Sequence, residues 1–104
     1  MTSSSFAYTY SVNSVNGGAK SASFNTNATS VAVNLEVFGG FGGYALAQVQ
    51  IGSAFQQLSS GNSTLKYYSG ILNSRGSGST ITLLAETAPV SSGPYSYAYA
   101  RASW

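Results

Sequence analysis

The 104-residue chain has no histidine, no cysteine and no aspartate, and its charge rests on six residues: Lys20, Glu36, Lys66, Arg75, Glu86 and Arg101. Each absence removes a class of chemistry. Without cysteine there is no disulfide framework and no thiolate ligand for zinc. Without histidine there is no side chain that titrates near neutrality, and the commonest metal ligand is missing. Soluble domains average about 25% charged residues, against 6% here. Two glutamates and no aspartate leave little to surround a hard cation such as calcium. No enzyme, cofactor or metal site is expected from this inventory, and the work of the protein falls to shape, hydroxyl groups and aromatic rings.

Charge and hydropathy exclude further classes. The formal charge of +2 comes from scattered cations with no basic cluster, too few to neutralise a run of phosphates, so nucleic acid is not an expected partner. No apolar run approaches the roughly 20 residues of a membrane-spanning helix. Met1 to Phe6 has neither the basic residues nor the apolar stretch of a signal peptide. The expectation is a single domain over 1–104, cytoplasmic or exported by a non-classical route. Asn27-Ala-Thr29 and Asn62-Ser-Thr64 match the glycosylation pattern, but a chain this rich in Asn, Ser and Thr produces such matches by composition, and they are read as loop residues.

What the chain has is period-two alternation between Gly, Asn and Ser clusters, which predicts about eight short strands and no helix. Val31, Val33, Leu35 and Val37 share one face of the strand Ser30 to Phe38. Tyr44 to Ile51 puts Ala45, Ala47, Val49 and Ile51 on one face and reads as the hairpin partner of that strand across Gly39-Gly40-Phe41-Gly42-Gly43. Thr80 to Thr87 turns Ile81, Leu83 and Ala85 inward. Ala54 to Leu58 reads as a short strand, Ser59 to Asn62 as a turn, and Thr64 to Leu72 as a strand with Leu65, Tyr67 and Ile71 on one side and Lys66 and Tyr68 on the other. The fold class that follows is all-β: an antiparallel β-sandwich or jelly roll of about eight short strands.

Two aromatic ladders mark the ends of the chain: Phe6, Tyr8 and Tyr10 near the start, Tyr95, Tyr97 and Tyr99 near the finish. The ordinary place for such ladders is one layer of the core. A subunit interface and a ligand platform are the alternatives, because tyrosine combines an apolar ring with a hydroxyl that stays hydrogen-bonded. If the terminal strands are neighbours, the arrangement resembles in its architecture the trimers of tumour-necrosis-factor and C1q-like jelly rolls, and that resemblance implies a homo-oligomer of three copies with Phe6, Tyr8, Tyr10 and Tyr95 at the interface.

Trp104, Arg101, Tyr99, Tyr97 and Phe41 are the candidate ligand-binding residues. Arg101 offers a fork of donors, Trp104 a stacking surface, and Phe41 stands on a glycine-rich loop that lacks the phosphate-binding pattern. Phe41 is expected to fold back on the sandwich. Glu36 and Glu86 would have to supply both carboxyl groups of any glycosidase, but both are read as facing outward, each paired with Lys66, Arg75 or Arg101. The favoured reading of the sequence is a metal-independent carbohydrate-binding module made multivalent by self-association, with glycans and further copies of the chain as partners. The alternative is a self-assembling structural subunit of a virion, fibre or surface appendage.

Overall fold

A computed structural model describes residues 4–11, 18–26, 30–52, 54–61, 63–73, 79–88 and 95–103. Eight strands follow one another: β1 (Ser4–Ser11), β2 (Ala19–Thr26), β3 (Ser30–Gly39), β4 (Tyr44–Ile51), β5 (Ala54–Gly61), β6 (Thr64–Asn73), β7 (Ser79–Thr87) and β8 (Ser96–Ser103). They form two four-stranded antiparallel sheets, with strand orders β1-β8-β3-β6 and β2-β7-β4-β5. This interleaved order is that of a jelly roll, two Greek keys wrapped into a sandwich.

The alternation read from the sequence sets the faces. Val31, Val33, Leu35 and Val37 of β3, Val49 and Ile51 of β4, and Ile81 and Leu83 of β7 are fully buried between the sheets. Beside them lie rows of small residues: Ala98, Ala100 and Ala102 of β8, Ala45 and Ala47 of β4, and Ala85 of β7. Within the first sheet Val33, Leu35 and Val37 of β3 are registered against Ala102, Ala100 and Ala98 of β8. The core cluster of buried residues contains no aromatic side chain among the described residues. Ala22, Ala54, Leu58, Tyr68 and Leu72 close its margins from the edge strands.

The sandwich tapers toward the β3–β4 loop. At the broad end Ile51 is registered with Ile81, and at the narrow end Ala45 lies between Thr87 and Ser60. There β3 and β5 come so close that a Cβ on Gly39 would sit 2.3 Å from the Ser60 carbonyl oxygen. The Gly39 carbonyl accepts from Ser63 N–H at 2.7 Å, and buried Ser96 Oγ accepts from Gly40 N–H at 2.8 Å. The loop itself turns through a Gly43 N–H to Gly40 carbonyl bond of 3.0 Å, with Gly42 at φ 78°. That backbone angle suits glycine because it has no Cβ to clash.

Two local expectations change. β3 and β4 are not hairpin partners, since β3 pairs with β6 and β8 whereas β4 pairs with β5 and β7. The two strands bury their apolar faces from opposite sheets, and alternation looks the same for a strand beside its neighbour or across from it. Ser59 to Gly61 continue β5 instead of turning, because Ser60 is buried in the inner row and its hydroxyl donates to the Thr64 carbonyl. In β6 the more apolar side faces out: Leu65, Tyr67 and Ile71 are exposed, and Tyr68 and Leu72 pack on the core.

The two carboxylates also differ from expectation in their partners. Glu86 accepts a hydrogen bond from the Tyr44 hydroxyl on the outer face of the second sheet, and Glu36 accepts one from the Tyr97 hydroxyl on the outer face of the first. Tyrosine is a registered or diagonal neighbour of each glutamate within its sheet, close enough to reach it without a long flexible chain. Arg75, a cation expected near them, lies outside the described residues.

Three outcomes follow from this geometry. Gly39→Ala forces backbone apart at the narrow end and should cost about 1–3 kcal/mol, the range for overpacking, read as a lower urea midpoint. Ser96→Ala leaves the buried Gly40 N–H without its acceptor and should cost about 1–3 kcal/mol. The Tyr44 phenol is held above its ordinary value of 10.0, first by its hydrogen bond to Glu86 and then by burial and the glutamate's charge. The folded chain therefore keeps this proton longer than the unfolded chain. The contribution of this group to stability is fully present below pH ~10 and is lost as the pH rises beyond it. Melting curves across that range should show a shallower loss for Glu86→Gln than for the parent; equal slopes would remove Glu86 as the cause.

Candidate functional site

The inner face of β8 is Ser96, Ala98, Ala100 and Ala102, so the same alternation turns Tyr97, Tyr99 and Arg101 to the outer face of the first sheet. Antiparallel register then carries this face from β8 across β3 and β6, because residues directly opposite one another share a face, and pairs the β1 backbone beside β8. One row runs Tyr10, Tyr97, Phe38, Leu65, and the next Tyr8, Tyr99, Glu36, Tyr67. The third is Phe6, Arg101, Asn34, Ser69, and the fourth Ser4, Ser103, Ala32, Ile71. The β8 tyrosine ladder is therefore not a core layer. Tyrosine rings would not fit where the alanines of β8 let the sheets close.

The face is apolar and open to solvent. Leu65 is 59% exposed, Tyr67 and Ile71 are 65% exposed, and Tyr95 is 45% exposed just before β8. Half-buried Tyr97 stacks on Phe38 with ring centroids 6.2 Å apart and an interplanar angle of 21°, and Tyr95 tilts against it at 6.0 Å. These contacts, with the Tyr97 hydroxyl on Glu36, hold the rings in place against one another. One polar row crosses the face: exposed Arg101, then Asn34, whose Oδ1 accepts from Ser69 Oγ at 3.1 Å.

The opposite outer face has another character. Its rows are Ala19, Glu86, Leu46, Ser59; Ser21, Leu84, Gln48, Gln57; and Ser23, Thr82, Gln50, Phe55. Hydroxyls and amides dominate it, with Phe55 exposed at one margin. Glu36 and Glu86 thus stand on opposite outer faces of the sandwich, with two sheets about 10 Å apart between them. Retaining and inverting glycosidases hold both carboxyl groups on one substrate, about 5–9.5 Å apart. These two do not form such a pair.

Backbone register brings together some of the residues assigned from sequence to a ligand site and to an interface. Tyr97, Tyr99 and Arg101 lie along β8, and register places Phe6, Tyr8 and Tyr10 beside them. Phe41 is 59% exposed in the β3–β4 loop, beyond the Tyr97 end of the face, and does not fold back as expected. Arg101 lies about 13 Å from Tyr97 along the strand, toward the other end. Trp104 lies outside the described residues, as do both glycosylation-pattern asparagines. Phe38, Leu65, Tyr67 and Ile71 were not singled out by sequence reasoning. Phe38 carried a usable signal, since its parity is opposite to the valines of its own strand. The contribution of β6 had none, because nothing local says that β6 lies beside β3.

No protein-family model matches the chain, and no curated protein matches it. Two solved structures are similar to it in fold. One is the structure of infectious bursal disease virus Gx strain, at 14% sequence identity and a TM-score of 0.50 over 99% of this chain. The other is the CBM36-1 domain of a multidomain xylanase from the hindgut metagenome of Trinervitermes trinervoides, at 11% identity and a TM-score of 0.44, covering 94% of this chain and 96% of that domain. The chain spans 32% of the length of the viral protein it matches. The likeness to the viral chain shows that this protein is a β-sandwich of the jelly-roll kind.

Proposed function

We propose that the protein is a non-enzymatic structural subunit that associates with further copies of itself through the outer face of the β1-β8-β3-β6 sheet. The observation that carries this reading is the exposure of Leu65, Tyr67, Ile71 and Tyr95 on one continuous face, around a stacked centre of Phe38 and Tyr97. Monomeric proteins rarely expose contiguous apolar patches larger than a few hundred Å². A four-stranded face eight residues long projects about 500 Å² from strand spacing and rise alone. With side-chain relief it can supply the roughly 800 Å² per partner of a stable interface. Composition agrees, since interface centres are rich in tyrosine and poor in lysine and glutamate. The one glutamate of this face already accepts from Tyr97.

The row of Arg101, Asn34 and Ser69 supports a second reading, in which the face is a carbohydrate platform. Rings such as Tyr67 and Tyr99 would stack on a sugar, and this row would bond its hydroxyls. Multivalency from self-association would offset the weak affinity of one such site.

A Leu65→Ser, Tyr67→Ser double variant tests the first reading, because both side chains are exposed and leave the core untouched. Light scattering should find the parent as an oligomer and the variant shifted toward the 10.7 kDa monomer, with little change in melting temperature. A parent that is monomeric at its highest soluble concentration, or a variant of unchanged mass, would overturn it. In the same samples, a sugar from a panel of free saccharides that raises the melting temperature of the parent but not of Arg101→Ala would favour the second reading.

A further inference from the structure

The chain contains two lysines, Lys20 and Lys66, and both fall in the same structural situation. Lys20 is on β2, an edge of the second sheet, and Lys66 is on β6, an edge of the first. Each occupies a position whose parity points toward the core: Lys20 is registered with buried Ala85 and Lys66 with buried Val37. Their same-side neighbours behave accordingly, since Ala22 of β2 and Tyr68 and Leu72 of β6 pack on the core. Both lysines are nevertheless exposed. An ammonium group cannot be left in an aliphatic interior, so each chain runs out along the margin of the core to water.

Among the described residues the sandwich has two open flanks, one where β1 lies over β2 and one where β5 lies over β6. Each flank holds one of the two lysines. Edge strand β6 has ten residues, no proline and exposure along nearly its whole length. A strand edge of that kind is a template for strand addition, and an inward-parity charge is an effective block. A second domain that brought its own flank against this one would have to bury the ammonium group or displace it. Tyr68 reinforces the closure at β6 by folding over Gly70, where a Cβ would meet the Tyr68 hydroxyl oxygen at 2.4 Å.

We propose that Lys20 and Lys66 guard the two flanks against edge-to-edge pairing with second copies of the chain, so that association is confined to the sheet face. The self-association reading is needed only for the statement that copies meet at the face; the closure of the flanks stands on the register and burial of the lysines. With each flank blocked, assembly through one face closes at a small number of copies. With the flanks open, head-to-tail strand addition has no closing geometry and continues into filaments.

The test compares the parent, Lys20→Val/Lys66→Val and Lys20→Arg/Lys66→Arg by light scattering, thioflavin fluorescence and electron microscopy. The valine variant should at least double the average mass and grow into thioflavin-positive filaments, whereas the arginine variant should match the parent. If valine prevents folding, the glutamine pair removes the same charges at similar length and should also grow. Repeating the valine pair in the Leu65→Ser, Tyr67→Ser background separates the two ideas. Filaments that persist there show edge growth independent of the face, whatever mass the face variant has alone. A neutral pair, valine or glutamine, that folds and keeps the mass of its own background would overturn the proposal.

Discussion

The thin alanine face of β8 is the constraint on which the rest of the structure depends. Ser96, Ala98, Ala100 and Ala102 fill the inward positions of a strand that lies between β1 and β3. Because the side-chain period of a strand is two, this choice also decides what points out, and the outward positions are Tyr97, Tyr99 and Arg101. A slip of one residue would drive tyrosines into an interior lined by Ala45, Ala47 and Ala85 and would expose the alanines. Such a state is strongly disfavoured by overpacking within the sheets and by loss of the Phe38 stack outside. The same residues that specify register therefore also create the exposed aromatic face.

The usual division of labour between ring and aliphatic side chains is reversed here. Aromatic side chains each bring about 150–250 Å² of burial, and a small domain ordinarily spends that on its core. Among the described residues the buried cluster is Val, Leu, Ile and Ala. That core supports a modest stability, as befits a domain of this length. The apolar surface left outside then has free energy still to be gained on association. Six charges in 104 residues remove most of the repulsion that would keep copies apart. Hydrophobic surface, shortage of charge and tyrosine hydroxyls already satisfied by glutamate act in the same direction.

The apolar faces of β3, β4 and β7 were legible because each alternates without interruption, and Val31 to Val37, Ala45 to Ile51 and Ile81 to Ala85 lie inward as their spacing implies. Legibility ended where pairing is non-local. Alternation cannot distinguish a hairpin neighbour from a strand in the facing sheet, and so β3 and β4 read as a pair although they belong to different sheets. In β6 Leu65, Tyr67 and Ile71 formed the more apolar side, yet they face water because burial at an edge is decided by what lies opposite and not by hydropathy alone. The partners of Glu36 and Glu86 escaped sequence reasoning for a related reason. Charge suggests cations, while register supplies Tyr97 and Tyr44 at hand. For the site, the β8 ladder was visible as a pattern, but its continuation through Phe38 and Tyr67 required the strand order.

An open sheet face and an open sheet edge present opposite demands to a chain that, as proposed, associates through the face. Face contacts are made by side chains, so their geometry is specific and their extent is bounded by the width of the sheet. Edge contacts are made by backbone groups that every strand possesses, so they are indifferent to sequence and propagate. A chain with few charges to spend gains most by placing its lysines at edges, where one ammonium group blocks a whole ladder, and by keeping the face free of them. Lys20 and Lys66 at inward parity on opposite flanks, with Tyr67 and Leu65 facing out from the same strand as Lys66, fit that allocation. In β6 the two requirements meet within three consecutive residues, since Leu65 and Tyr67 build the face and Lys66 between them closes the edge.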